Sequence, residues 1–127
     1  MADTTSELDL MVVAPNNTKV LCENERVRVL EFQAKAGERI GLHEHPEMVV
    51  YVLQRGRRSF TDEDGIVTLS DPDVGTAFIR TGRTVHTEEV HEDFRGLLIE
   101  FKSSGTLGRP GDGGVPFSRG ARRCHAI

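Results

Sequence analysis

Three histidines carry the chemistry that this sequence could perform. His43 and His45 stand in the run Gly37-Glu38-Arg39-Ile40-Gly41-Leu42-His43-Glu44-His45, and His86 lies far downstream in Thr84-Val85-His86-Thr87-Glu88. On an extended strand, residues two apart point to the same side, so the first two imidazoles can face one interior point. The third joins them only if the chain folds back and closes a pocket. Neutral imidazoles are ligands for divalent metals, and three of them leave coordination positions that water or a substrate can fill.

His-x-His pairs are frequent on strand surfaces, and it is the surrounding glycines that make this one specific. The first cupin motif reads Gly, five residues, His-x-His, three or four residues, Glu, six residues, Gly. This chain resembles it from Gly37 through His43 and His45 to Val49 and on to Gly56, with Val49 at the position of the metal-binding Glu. In the second motif Gly75 and His86 fall in place, while Thr81, Arg83 and Val90 stand where the family carries Pro, Gly and Asn. The resemblance covers roughly Val20 to Phe101, and the stretch HEHPEMVVYVL is similar to that of very small single-domain bacterial cupins.

The resemblance implies an all-β fold, the double-stranded β-helix or jelly-roll barrel, with a metal held by His43, His45 and His86. Without the motif Glu, the set is similar to that of the three-histidine iron cupins, among them β-diketone-cleaving and thiol dioxygenases. On those grounds the expected cofactor is Fe(II), although imidazole ligands also suit Zn, Ni and Cu, and Mn stays open. Three neutral ligands leave both charges of the ion uncompensated, which favours a small anionic organic substrate.

Three further residues could take part. If Val49 faces inward, Tyr51, the single tyrosine, points the same way one step deeper and could serve as a catalytic acid or base. Glu88 shares the parity of His86 and could orient a ligand or shuttle a proton. Glu47 shares the parity of His43 and His45, as a fourth ligand or as a carboxylate behind the ligands. Two other functions stay open beside the dioxygenase: a non-redox metal lyase or isomerase, and a non-catalytic ligand-binding cupin.

The elements that must position these groups are short strands. Thr18 to Cys22, Val27 to Gln33, the His-x-His segment, Met48 to Leu53, Ser59 to Thr61, Ile66 to Leu69, Gly75 to Ile79, Val85 to Val90 and Phe94 to Phe101 alternate or run apolar between turn signals. Asp64-Gly65 predicts a hairpin turn. Met48 to Leu53, almost wholly apolar, reads as a strand packed on both faces. Strands at this spacing predict a sandwich or barrel rather than βαβ units.

The organisation expected is an N-terminal arm over 1–17, with residues 1–9 disordered or loosely held, a barrel over 18–102, and a Gly/Arg-rich tail over 103–127 that is either a flexible end or folds over the barrel mouth or a partner subunit with Val115 and Phe117 as apolar anchors. With 127 residues, the chain suits one domain. Its net charge of −4 speaks against nucleic-acid or anionic-membrane partners, and no apolar run approaches the ~20 residues of a membrane span. The acidic opening lacks the pattern of a signal peptide, so a cytoplasmic location is expected. Jelly-roll edges are commonly protected by pairing with a second copy, which makes a homodimer the expectation.

Overall fold

In the computed structural model, residues 6–102 are described, and the tail expectations for 103–127 lie outside them. A helical turn, α1 (Leu10–Val13), precedes nine strands: β1 (Thr18–Glu23), β2 (Val27–Ala34), β3 (Arg39–His45), β4 (Met48–Gln54), β5 (Arg58–Asp62), β6 (Val67–Ser70), β7 (Ala77–Arg80), β8 (Thr84–Val90) and β9 (Phe94–Phe101). They form two sheets, ordered β1-β2-β9-β4-β7 and β3-β8-β5-β6, with every pairing antiparallel. Each expected strand is present to within about two residues. This is the double-stranded β-helix that the sequence predicts.

Period-two alternation builds the core. Leu30, Phe32 and Ala34 of β2, Met48, Val50 and Val52 of β4, and Phe94 and Leu98 of β9 all turn inward from the larger sheet. Ile40 and Val90 meet them from the other. Two motif glycines are explained by backbone demands. Gly37 has φ +95°, which side chains strain against, and a Cβ on Gly56 would lie 2.1 Å from the carbonyl oxygen of Asp93. The Asp62–Ile66 turn closes the β5–β6 hairpin, with the Asp62 carboxylate accepting from the amides of Asp64 and Ile66.

One expectation needs correction. The Met48–Gln54 strand is buried on one face only: Val49 is half-buried and Tyr51 is exposed on the other. Of the nine residues expected to be loosely held, 6–9 are described, and the chain that follows them is anchored ahead of β1. Asp9 caps α1 by accepting from the amide of Met11, and Leu10, only 1 % exposed, plugs into the core. Burial of one leucine outweighs the polar composition around it, contributing about 2 kcal/mol.

Candidate metal centre

His43 and His45 sit at the end of β3, and His86 lies directly across the ladder from His43 on β8. A register shift between Ile40 and His43 sets this geometry. Ile40 faces Glu88 and His43 faces His86, so β3 spends one more residue than β8 over the same span. The bulge turns both the apolar Ile40 and the ligand-type His43 into the barrel, which strict alternation would forbid. It also frees the Gly41 carbonyl to accept from His43 Nδ1 at 2.7 Å, leaving Nε2 as the lone-pair nitrogen.

The three imidazoles are 0 %, 4 % and 3 % exposed, and one ring nitrogen from each lies within 4.8 Å of the others. His43 Nε2 and His86 Nε2 are buried without a hydrogen-bond partner. Buried polar nitrogens without partners are costly, and nitrogen lone pairs gathered in one place fit a cation. The residues present therefore suit the divalent metal that the resemblance implies.

Burial, then the neighbouring His45, holds His43 down to about 4. His86 is pushed down to about 2, first by burial, then by His43 and His45, with Arg80 and Arg58 adding to it. Both are therefore neutral, as ligands must be, well below neutral pH. The stability consequence has a definite sign. Below the ordinary histidine value of 6.5, the unfolded chain takes up protons that the folded chain refuses, so stability present above that pH is lost as pH falls toward the folded values. For metal-free protein, wild type relative to His86→Gln should lose about 2 kcal/mol between pH 7 and pH 5, read from urea midpoints. An unchanged difference would mean that His86 is not held neutral.

His45 is supported differently, by a residue that escaped the sequence reading. Glu100 on β9 is buried, and its Oε2 lies 3.5 Å from His45 Nδ1, an electrostatic contact in which neither atom has a hydrogen-bond partner. Its Oε1 accepts from Arg28 Nε and Nη2 at 3.0 and 2.7 Å, and the same Nη2 reaches Asp9 Oδ2 at 2.9 Å. A carboxylate hydrogen-bonded to a ligating imidazole fixes its tautomer and ring orientation, and Glu100 stands about half an ångström short of that contact, favouring a proton on Nδ1 by its charge. Glu100→Gln should weaken zinc binding about 10–100-fold, by competition titration. An affinity unchanged in that variant would reduce Glu100 to a partner of Arg28. The signal in the sequence was a lone acid in the apolar run Leu97-Leu98-Ile99-Glu100-Phe101, in phase with Phe94 and Leu98.

Glu88 faces the interior as its parity suggested, and its surroundings define its state. Arg58 Nη1 donates to Glu88 Oε2 at 3.1 Å, with both side chains buried. Burial raises the Glu88 carboxyl above the usual range, opposed by Arg58 and, more weakly, His45 and Arg80. The Arg58 guanidinium carbon also lies over Phe94, 3.5 Å from the ring centroid. A cavity of about 20 Å³ is lined by His45, His86, Glu88, Arg58, Arg80 and Val50 among others, enough for a water-sized occupant.

The remaining candidates are placed elsewhere. Tyr51 is 37 % exposed on the outer face of β4, opposite Ala77, and Val49 shares that face, opposite Ile79. Glu47 is exposed at the β3–β4 corner, lining a surface hollow with Pro46 and Arg83. The physical reason is that corner: Pro46 and Glu47 carry the chain from one sheet to the other, so parity counted from His45 does not continue into β4. Val50, not Val49, lines the cavity from this strand.

No protein-family model matches the sequence, and no curated protein matches it. Solved structures do. A cupin domain from Bordetella pertussis Tohama I is 26% identical with a TM-score of 0.61, over 68% of this chain and 92% of that one. An uncharacterized conserved protein with a double-stranded β-helix domain from Klebsiella pneumoniae is 25% identical, with a TM-score of 0.51, over 63% of this chain and 70% of that one. A DMSP lyase from Ruegeria pomeroyi is 17% identical, with a TM-score of 0.53 over 68% of this chain and 46% of its own length, a likeness of fold alone. The chain thus has the cupin fold, with three buried histidines that could form its metal site.

Proposed function

We propose that this chain is a small metal-dependent enzyme, a mononuclear non-haem iron dioxygenase acting on a small anionic organic molecule. The observation that carries the reading is the donor set. His43, His45 and His86 converge without a carboxylate among them, and Val50 presents a hydrocarbon wall to the cavity beside them. A divalent ion held there would supply Lewis acidity with its charge uncompensated, and iron would add the capacity to activate dioxygen.

The protein's own residues prepare the chamber for such work. Phe60 stacks on His86 with ring centroids 4.5 Å apart and planes 21° from parallel, which fixes the ligand ring. Met48, Val50, Phe32 and Phe78 line the cavity with apolar surface and keep bulk water out. Glu88, its Oε2 held by Arg58 and its carboxyl made more basic by burial, would accept or return a proton at its other oxygen, Oε1.

Oxygen uptake by the iron-loaded protein with β-dicarbonyls, thiols and catechol-like acids tests the reading. Consumption with one class, lost in Glu88→Gln at least tenfold, is the expected result. Turnover that persists without oxygen, or with zinc in place of iron, would instead make the protein a non-redox lyase or isomerase. Tight binding without turnover under any metal would make it a ligand-binding cupin.

Val50→Glu supplies the complementary prediction. A carboxylate from the cavity wall would add a fourth ligand and remove one unit of site charge. Metal binding should tighten about tenfold or more while turnover of an anionic substrate falls. Weaker metal binding in this variant would show that Val50 does not face the metal.

A further inference from the structure

The cavity has a second polar wall, opposite in character to the histidines. Arg58 enters it from β5 in one sheet and Arg80 from β7 in the other. Their guanidinium carbons lie 4.9 and 5.0 Å from the centroid of Phe60, so one aromatic plate serves both cations and His86 as well. Against these two positive charges the cavity offers a single carboxylate, Glu88, which is already bonded to Arg58 Nη1. The Arg80 side chain makes no hydrogen bond or ion pair among the described residues, Glu88 acting on it only at longer range, and Arg58 Nε is buried without a partner. Burial pulls both guanidiniums below their usual range, as expected for cations short of counter-charge.

We propose that this wall is a binding site for one small anionic head group, a monocarboxylate or an oxyanion of like size, held by Arg80 with Arg58 behind it. The proposal deepens the reading above by naming the group through which a substrate would enter, and it rests on that reading only for the word substrate. The chamber as it stands, about 20 Å³, is water-sized, so an anionic head group enters only where a wall gives way. The half-buried Arg80 is the wall that can yield as an anion enters. A carboxylate there would complete the charge balance, gain charge-assisted hydrogen bonds from Arg80, and lie in the cavity that His45 and His86 also line. A neutral isostere would leave both guanidiniums short of counter-charge, so selectivity for the anion should be strong.

The test uses chelator-treated, metal-free protein titrated with sodium formate and sodium acetate, with acetamide as the neutral match and sodium chloride as the ionic control. Backbone amide shifts in NMR report the site. Formate and acetate should bind saturably and shift the amides of β5, β7 and β8, and acetamide and chloride should not. Arg80→Gln should weaken acetate binding about tenfold or more, and Arg80→Lys less. Glu88→Gln should tighten it, because the competing negative charge is gone. Equal binding of acetate and acetamide, or an Arg80→Gln affinity equal to wild type, overturns the proposal. Should Glu88→Gln fail to fold, Arg80→Gln, whose side chain is partly solvent-exposed, still decides it. Zinc binding by the same preparation separates the two readings: zinc without acetate selectivity removes the anion site alone, and acetate selectivity without zinc removes the metal centre alone.

Discussion

Arg58→Met is expected to cost about 3–5 kcal/mol of folding stability, the largest single loss among charged positions of this chain. Methionine keeps most of the volume over Phe94 but removes the cation that lies 3.5 Å from that ring and the donor that reaches Glu88 at 3.1 Å. Glu88 is then a buried carboxylate without its main partner, and the cost is that of an unpaired charge in a low-dielectric interior. Two features distinguish this cause from lost packing. The Arg58→Met/Glu88→Leu double variant should recover most of the loss, since replacing both members of a buried pair by apolar groups is close to neutral. The penalty should also shrink as pH falls. Removing Arg58 takes away the largest influence that lowers the Glu88 carboxyl, so its folded value rises further above the usual 4.5. A raised carboxyl value means that the folded state binds a proton before the unfolded one does, and stability is regained as pH falls toward that ordinary value. Urea denaturation of the three proteins at pH 7.5 and pH 5.5 measures both effects. A loss under 1 kcal/mol that ignores pH would contradict the assignment of Arg58 as the partner that Glu88 requires.

His86→Ala is expected to abolish metal binding at micromolar concentrations. With three ligands sharing a binding free energy of the order of 10 kcal/mol, loss of one removes about 3–4 kcal/mol, a several-hundred-fold drop in affinity. The same substitution leaves a cavity beside Phe60, but its stability deficit relative to wild type in metal-free protein should shrink by about 2 kcal/mol between pH 7 and pH 5, because a buried nitrogen that resists protonation has gone. Lost metal affinity together with a stability deficit that shrinks on acidification is the mark of a ligand rather than a packing residue. His43→Ala should behave alike, since His43 shares the orphaned Nε2 and the depressed value. Zinc competition and denaturation at pH 5 provide the two readouts. A variant that keeps wild-type zinc affinity would exclude that histidine from the centre.

Much of this architecture was legible from local patterning. The strands announced themselves by alternation, the hairpin by Asp64-Gly65, and the histidine set by glycine spacing. Gly56 has an evident purpose in the fold, where Asp93 comes too close for any side chain. What the sequence hid are the places where alternation is interrupted. The bulge between Ile40 and His43 changes which residues face inward over three positions, and Gly41 inside the strand is its local signal. The corner at Pro46 and Glu47 resets the count between sheets, which moved the inward role from Val49 to Val50 and put Tyr51 outside. Pairings across the barrel were also out of reach. Arg58 could have been suspected from its phase with Phe60, and Glu100 from its phase with Leu98, but their partners come from distant strands. Register across the sheets decides those contacts, and single-strand periodicity does not contain it.

The central claim, that His43, His45 and His86 form one metal centre, is tested most directly by titrating metal-free protein with Co(II) and following its visible ligand-field bands. One equivalent per chain should bind, with bands that reach a sharp end point, disappear on addition of zinc, and are absent from His43→Ala and His86→Ala. Wild-type bands that persist in either alanine variant, or no bands at any cobalt concentration, would contradict it.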